Sequence, residues 1–189
     1  SYSNKTSYTQ ITFWPDWSLF GFADKDEFFE SDTYLYIKRR IWDASALTRK
    51  SVSVSLNANV LPVKTFKAYF ALLTGEAVKD VICEETERWE VCLCPVRNED
   101  KRVNMSFVNG IHTYQNGTHF DHVVRLIMNL IKSKLPANTI IRMTHIVCFF
   151  SIGVKCLIEN PTFSSQSKEH HTTKTTAFGS KFVSSDKFN

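Results

Sequence analysis

The stretch Ile158-Glu159-Asn160-Pro161-Thr162-Phe163-Ser164-Ser165-Gln166-Ser167-Lys168-Glu169 decides how this chain is read. It continues a β-rich, nearly apolar run over residues 147–159, the pattern of a central strand covered on both faces. It also opens a Ser/Thr/His/Lys-rich segment over residues 164–176, which has the composition of a loop. A long buried strand therefore delivers the chain to Gln166-Ser167-Lys168. The lysine ammonium is a compact charge with three donors, suited to a terminal phosphate, and a glutamine amide can donate beside it. Taken alone, Gln-x-Lys is also what a solvated polar turn looks like, so its meaning rests on the residues around it.

Working outward, residues 120–134 place Val123, Leu126, Ile127, Leu130 and Ile131 at helical spacing, with Thr118 as a cap and Pro136 as the end. Strands are expected at 78–83, 89–96 and 103–109; the last two are separated by the charged turn at 97–102, which implies an antiparallel sheet. Residues 52–56 and 60–63 flank Asn57-Ala58-Asn59 as a hairpin. Residues 65–73 read as a short helix, with Thr65 the cap and Gly75 the stop. Nearer the N-terminus, residues 24–47 carry one apolar stripe through Phe28, Leu35 and Trp42, with Lys38, Arg39 and Arg40 read as a solvated face. Residues 9–14 read as a first strand ended by Pro15. Periodicity gives a mixed α and β chain without repeats.

Several stretches share their order with one family. They are Ile11 to Asp16, Pro62-Val63-Lys64-Thr65-Phe66, Trp89-Glu90-Val91-Cys92-Leu93, Ser106 to His119, the Glu159 to Glu169 loop, Ala177-Phe178-Gly179-Ser180, and Ser185-Asp186-Lys187-Phe188. Together they resemble the transducer domain of type IIA DNA topoisomerases, of the eukaryotic or large-DNA-virus type, over residues 9 to 188. In that family the loop carries Gln-Thr-Lys where this chain has Gln166-Ser167-Lys168. The family's Gly-Gly-Thr-His helix start reads Asn116-Gly117-Thr118-His119 here, and Asn tolerates left-handed backbone angles.

The resemblance implies an α+β transducer fold like the ribosomal-protein-like left-handed β-α-β fold, a mixed sheet with helices on one side, over residues 1–189. It implies that Gln166 and Lys168 contact the γ-phosphate of ATP and couple hydrolysis to DNA strand passage. Lys132 and Lys134, at the place of the family's basic turn, would contact duplex DNA, although two lysines at a helix end also suit the helix dipole. The preceding GHKL-type ATPase domain, which supplies the general base and Mg2+ ligands, and the following TOPRIM and DNA-cleavage domains are expected outside this chain. Both chain ends read as cut from something longer. No catalytic residue and no metal ligand is expected in this fragment, which would act only within a complete ATP- and Mg2+-dependent homodimeric isomerase that changes DNA supercoiling. The alternative is a stand-alone nucleic-acid or protein interaction module of the same fold with no ATP role.

Composition is compatible with either reading. In 189 residues, 43% are hydrophobic and 13% aromatic, including 15 Phe, which fits a packed globular body rather than a disordered tail. The net charge of +4 permits an acidic partner without demanding one. Cys83, Cys92, Cys94, Cys148 and Cys156 are odd in number, form no Cys-x-x-Cys, and accompany no secretory signal, so reduced thiols are expected. A zinc site from Cys92, Cys94 and a histidine is disfavoured, because alternation makes Cys92 and Cys94 neighbours on one strand face. His119 is expected to hydrogen-bond within its turn, and His170 and His171 to be exposed. The sequons at Asn4, Asn104 and Asn116 are read as chance. With no apolar run of about 20 residues a membrane role is not expected. The expected location is intracellular: the nucleus for a cellular protein, host cytoplasm or nucleus for a viral one.

Overall fold

A computed structural model describes residues 7–185 and Phe188; the Asn4 sequon and the Asp186-Lys187 part of the last matched stretch lie outside the described residues. The chain forms two compact units, Ser1–Arg40 and Ile41–Asn189.

In the first unit, residues 9–14 form no strand. They alternate in sequence, but no ladder partner receives them. The expected single helix over 24–47 is two, α1 (Lys25–Glu30) and α2 (Asp32–Leu47), the latter running on into the second unit. Asp24 caps α1 through the N–H groups of Asp26 and Glu27, at 2.8 and 2.9 Å, and Glu27 reaches back to the Ala23 N–H. Ser31 makes the break: its hydroxyl donates to the Phe28 carbonyl at 2.6 Å and accepts from the Tyr34 N–H at 3.3 Å, serving one helix end and the next start. The proposed stripe does not survive the break. Leu35 is exposed, whereas Phe28 packs against Trp17, Phe22, Phe29 and Tyr34. Lys38 to Arg40 are half-buried rather than fully solvated, and the Lys38 ammonium sits 4.9 Å above the Tyr34 ring.

The second unit begins with the expected hairpin, shortened to β1 (Ser55–Leu56) and β2 (Asn59–Val60). Asn57 and Ala58 both turn at positive φ, as a two-residue primed turn requires. The helix α3 (Phe66–Thr74) starts and stops where expected, with Thr65 accepting from Ala68 N–H and Gly75 at φ 72°. The main sheet is built from β3 (Ile82–Glu85), β4 (Trp89–Pro95), β5 (Asn104–Val108), β6 (Ile111–His112) and β7 (Phe150–Cys156), in the order β3-β4-β7-β5-β6. Every neighbouring pair is antiparallel except β5 and β7, which run parallel. The sheet is thus mixed, as the family resemblance implied, and not wholly antiparallel as the strand spacing implied. The crossover from β5 to β7 passes through α4 (Thr118–Ser133) and α5 (Met143–Phe149).

Two local features depart from the sequence pattern. The apolar run at 147–159 is not one strand: its first residues complete α5, because Met143, Ile146, Val147 and Phe150 follow helical spacing and pack into one cluster. Thr118 is the first residue of α4 rather than its cap. Gly117 holds the cap position, and the Thr118 hydroxyl donates instead to the Thr173 carbonyl at 2.6 Å.

Alternation along β4 and β7 explains the layers. Trp89, Val91, Leu93, Ile152 and Val154 meet Phe120, Val123 and Ile127 of α4 and Ile146 of α5. Cys92 and Cys94 face the other way, with Met105 and Phe107, onto Phe66, Tyr69 and Phe70 of α3. Helices therefore cover both faces, against the one-sided expectation, because both faces of the central strands are apolar. α3 presses close on the sheet at Gly153, where a Cβ would meet Phe70 Cδ2 at 2.7 Å.

Candidate functional site

The loop grows out of β7 and is anchored before it turns. The Asn109 side chain holds Ile158 on both sides, accepting its N–H at 2.9 Å and donating to its carbonyl at 3.0 Å. Asn160 takes a left-handed φ of 44°, and Pro161 sends the chain outward. Thr162 to Ser164 then pair with His170 to Thr172: Thr172 N–H donates to the Thr162 carbonyl at 2.9 Å and Ser164 N–H to the His170 carbonyl at 3.0 Å. This leaves residues 165–169 as the tip of a narrow hairpin.

Gln166 and Lys168 both lie in that tip. Gln166 is exposed and Lys168 half-buried. Lys168 has φ 59°, an angle uncommon for a residue with a side chain, and its N–H donates to the Ser165 carbonyl at 3.1 Å. Its ammonium stands 5.7 Å from the centre of the Phe163 ring, a cation–π contact that steadies the charge. An ammonium and a side-chain amide are both donors to oxygen acceptors.

The other matched stretch, 106–119, reaches this loop in space. Gln115 accompanies the tip: its N–H donates to the Glu169 carbonyl at 3.1 Å, its amide to the Glu169 carboxylate at 3.0 Å, and its carbonyl accepts from His170 Nδ1 at 3.2 Å. Asn116, at φ 58°, accepts the His171 N–H at 3.0 Å, and the His171 carbonyl accepts the Thr118 N–H at 3.1 Å. The left-handed turn expected of Asn116 forms. These bonds tie the returning arm of the hairpin to the first turn of α4.

Beneath the loop sit two histidines. His171, expected to be exposed, is fully buried, and His170 is half-buried; the cause is the docking of the returning strand against α4. The His119 and His171 rings meet edge to face at 4.9 Å. His119 Nε2 lies 3.4 Å from the Thr113 hydroxyl, the turn contact expected of it, while Thr118 Oγ1 is 3.1 Å from His171 Nδ1. Burial, and after it the neighbouring histidines, hold the pKa of His119 down to about 3; burial and then His170 hold that of His171 down to about 4. Both are neutral structural groups at neutral pH. No sequence pattern announced the pair, since only the fold brings positions 119 and 171 together.

Lys132 and Lys134 are exposed at the far end of α4, where Lys132 occupies the last turn and Lys134 the C-cap. They are not brought to the loop tip, which docks at the opposite end of this helix. Cys92 and Cys94 do share a face, but the cysteine that approaches Cys92 is Cys83, with Glu90 beside it, and no histidine joins them among the described residues. No helix among the described residues is long and apolar enough to cross a membrane.

A family model for DNA gyrase B matches residues 49–189. The chain belongs to the DNA gyrase B family. DNA topoisomerase 2 of Drosophila melanogaster is 40% identical to it over 196 residues, covering 98% of this chain and 13% of that protein. The probable DNA topoisomerase 2 of Dictyostelium discoideum is 34% identical, covering 100% of this chain and 12% of its own. The gyrase B-family chain thus spans about an eighth of the length of these relatives. Among solved structures, the ATPase region of Saccharomyces cerevisiae topoisomerase II matches with a TM-score of 0.73 and 31% identity, over 88% of this chain and 42% of that one. The ATPase and transducer domains of DNA topoisomerase II from Balamuthia mandrillaris match with a TM-score of 0.71 and 32% identity, over 84% and 40%.

Proposed function

We propose that residues 1–189 are the transducer part of an ATP-dependent type II DNA topoisomerase, and that Gln166 and Lys168 sense the γ-phosphate of ATP. The observation that carries this reading is the hairpin tip: Gln166 and Lys168 lie two residues apart in the tip of a loop tied at one arm to the central strand β7 and at the other to α4. A bound terminal phosphate supplies negative charge at the tip. Lys168 neutralises part of it, Gln166 donates beside it, and Gln115 keeps Glu169 turned to its own amide. Loss of those contacts removes the differential binding that holds the loop in one position, and the change passes into β7 and α4, which the hairpin joins. The chain's own part is to bind, hold and report.

In this reading a preceding GHKL-type domain binds the nucleotide and its Mg2+, and TOPRIM and cleavage domains cut duplex DNA within a homodimer. Lys132 and Lys134 are offered to a DNA backbone. The place of action is the nucleus, or the host cytoplasm or nucleus for a viral enzyme. Hydrogen exchange in the complete enzyme tests the sensing step. A non-hydrolysable ATP analogue is expected to slow exchange across residues 165–169, and Lys168→Ala to abolish that protection. Equal exchange with and without the analogue in the unaltered enzyme contradicts the assignment.

A further inference from the structure

The edge strand β3 places Cys83 directly opposite Cys92 of β4. Thr86 N–H donates to the Trp89 carbonyl at 2.7 Å, which makes Thr86 and Trp89 a hydrogen-bonded pair. Pairs alternate along an antiparallel ladder, so Cys83 and Cys92, three positions further on, form a non-hydrogen-bonded pair. At such positions the Cα atoms stand only about 4.5 Å apart and the side chains lean together. A disulfide accommodates Cα separations of about 4.4 to 6.8 Å, a range whose lower end such a pair meets. Their Sγ atoms are 2.6 Å apart.

The surroundings separate two uses of such a pair. Cys83, Cys92 and Glu90 have ligand atoms all within 4.8 Å of one another, which is the beginning of a metal site. A tetrahedral zinc with Zn–S bonds of about 2.3 Å would hold its two sulfurs about 3.8 Å apart. At 2.6 Å the sulfurs stand closer together than in such a site. Glu90 is moreover engaged by Lys155 at 2.9 Å. Access favours redox chemistry. Cys83 lines a pocket of about 780 Å3 whose wall carries five cations, Arg49, Lys50, Lys64, Lys67 and Lys155, against two carboxylates, Glu85 and Glu90, an excess of positive charge that suits a small anionic reagent, while Cys92 lies fully buried.

We propose that Cys83 and Cys92 are an oxidative modification site, a dithiol that closes reversibly into a cross-strand disulfide on reaction with an anionic small-molecule disulfide of the glutathione disulfide class. Cys83, as thiolate, attacks one sulfur of the reagent; a Cys83–reagent disulfide forms and one reagent thiolate leaves. Cys92 passes its proton to that thiolate and attacks Cys83 Sγ, expelling the second reagent thiolate, which takes up the proton first lost by Cys83. Two protein thiols and one reagent disulfide become one protein disulfide and two reagent thiols, a two-electron oxidation of the chain balanced by a two-electron reduction of the reagent. The bond fastens β3 to β4, the neighbour of the strand that feeds the phosphate-sensing loop. Thiols in a reducing compartment that do form disulfides are commonly sensors, and this pair has one reachable sulfur and one resolving sulfur.

The test treats the native protein with glutathione disulfide, quenches with acid, alkylates after denaturation and maps the peptides. The expected product is a single peptide pair joined through Cys83 and Cys92, lighter by two hydrogens, with Cys94, Cys148 and Cys156 alkylated and both linked thiols recovered on reduction. Thermal unfolding of the oxidised protein is expected to shift upward, and Cys83→Ser to lose both the link and the shift. Recovery of Cys83 and Cys92 as free thiols, as separate glutathione adducts, or linked to other cysteines overturns the proposal; each is read on the unaltered protein, whatever the variant's folding.

Discussion

Gly117 and His171 face each other as a parallel bridge so close that the backbone of one occupies the space a side chain on the other would need. Gly117 has φ 138°, and a Cβ there would fall on the His171 backbone, 2.7 Å from its nitrogen. This contact seats the returning arm of the loop on α4. Gly117→Ala is therefore expected to cost about 2–4 kcal/mol, strain and overpacking together, and to free the loop from the helix. Urea unfolding measures the first effect and amide exchange at residues 162–172 the second. Unchanged stability and unchanged loop protection would remove Gly117 from this role.

The histidine pair gives the stability a pH dependence of fixed sign. Unfolded histidines take up protons near pH 6.5, whereas folded His119 and His171 resist until about pH 3 and 4. Between those values the unfolded state binds more protons, so stability is full above pH 6.5 and falls as the pH drops. Each histidine withdraws up to about 1.4 kcal/mol per pH unit over that window. Urea midpoints at pH 7.5 and 5.5 are expected to differ, and His119→Gln to flatten the slope. A native protein equally stable at both values would show that the pair titrates normally.

Lys132 and Lys134 can be weighed against a salt series. If each neutralises a DNA phosphate, the Lys132→Gln, Lys134→Gln double variant of the complete enzyme binds duplex DNA with a log–log salt slope shallower by about 0.9 per lysine. An unaltered slope would leave both residues as helix-end charges suited to the dipole.

Sequence patterns carried the local structure wherever local chemistry decides it. Thr65 and Gly75 bounded α3 because capping is a matter of a few adjacent residues, and the apolar spacing from Val123 to Ile131 located α4. They failed where a partner decides. Residues 9–14 alternate like a strand but have no ladder among the described residues, and β6 is two residues long and defined by its register with β5. The parallel pairing of β5 with β7 depends on a crossover of more than forty residues that no periodicity encodes. At the site, Gln166 and Lys168 stand out by side-chain chemistry and family resemblance, and the structure places both in one hairpin tip. Gln115, Gly117 and His171, which hold their loop, carry roles created only by contact between distant stretches.

In the proposed function Lys168 links phosphate sensing to strand passage. The decisive measurement is ATP-dependent relaxation of supercoiled DNA by the complete native gene product, unaltered and with Lys168→Ala. The variant is expected to fold as the parent does and to lose most of its ATP-driven relaxation. Relaxation at the parent's rate by a properly folded Lys168→Ala enzyme rules out that role for the lysine.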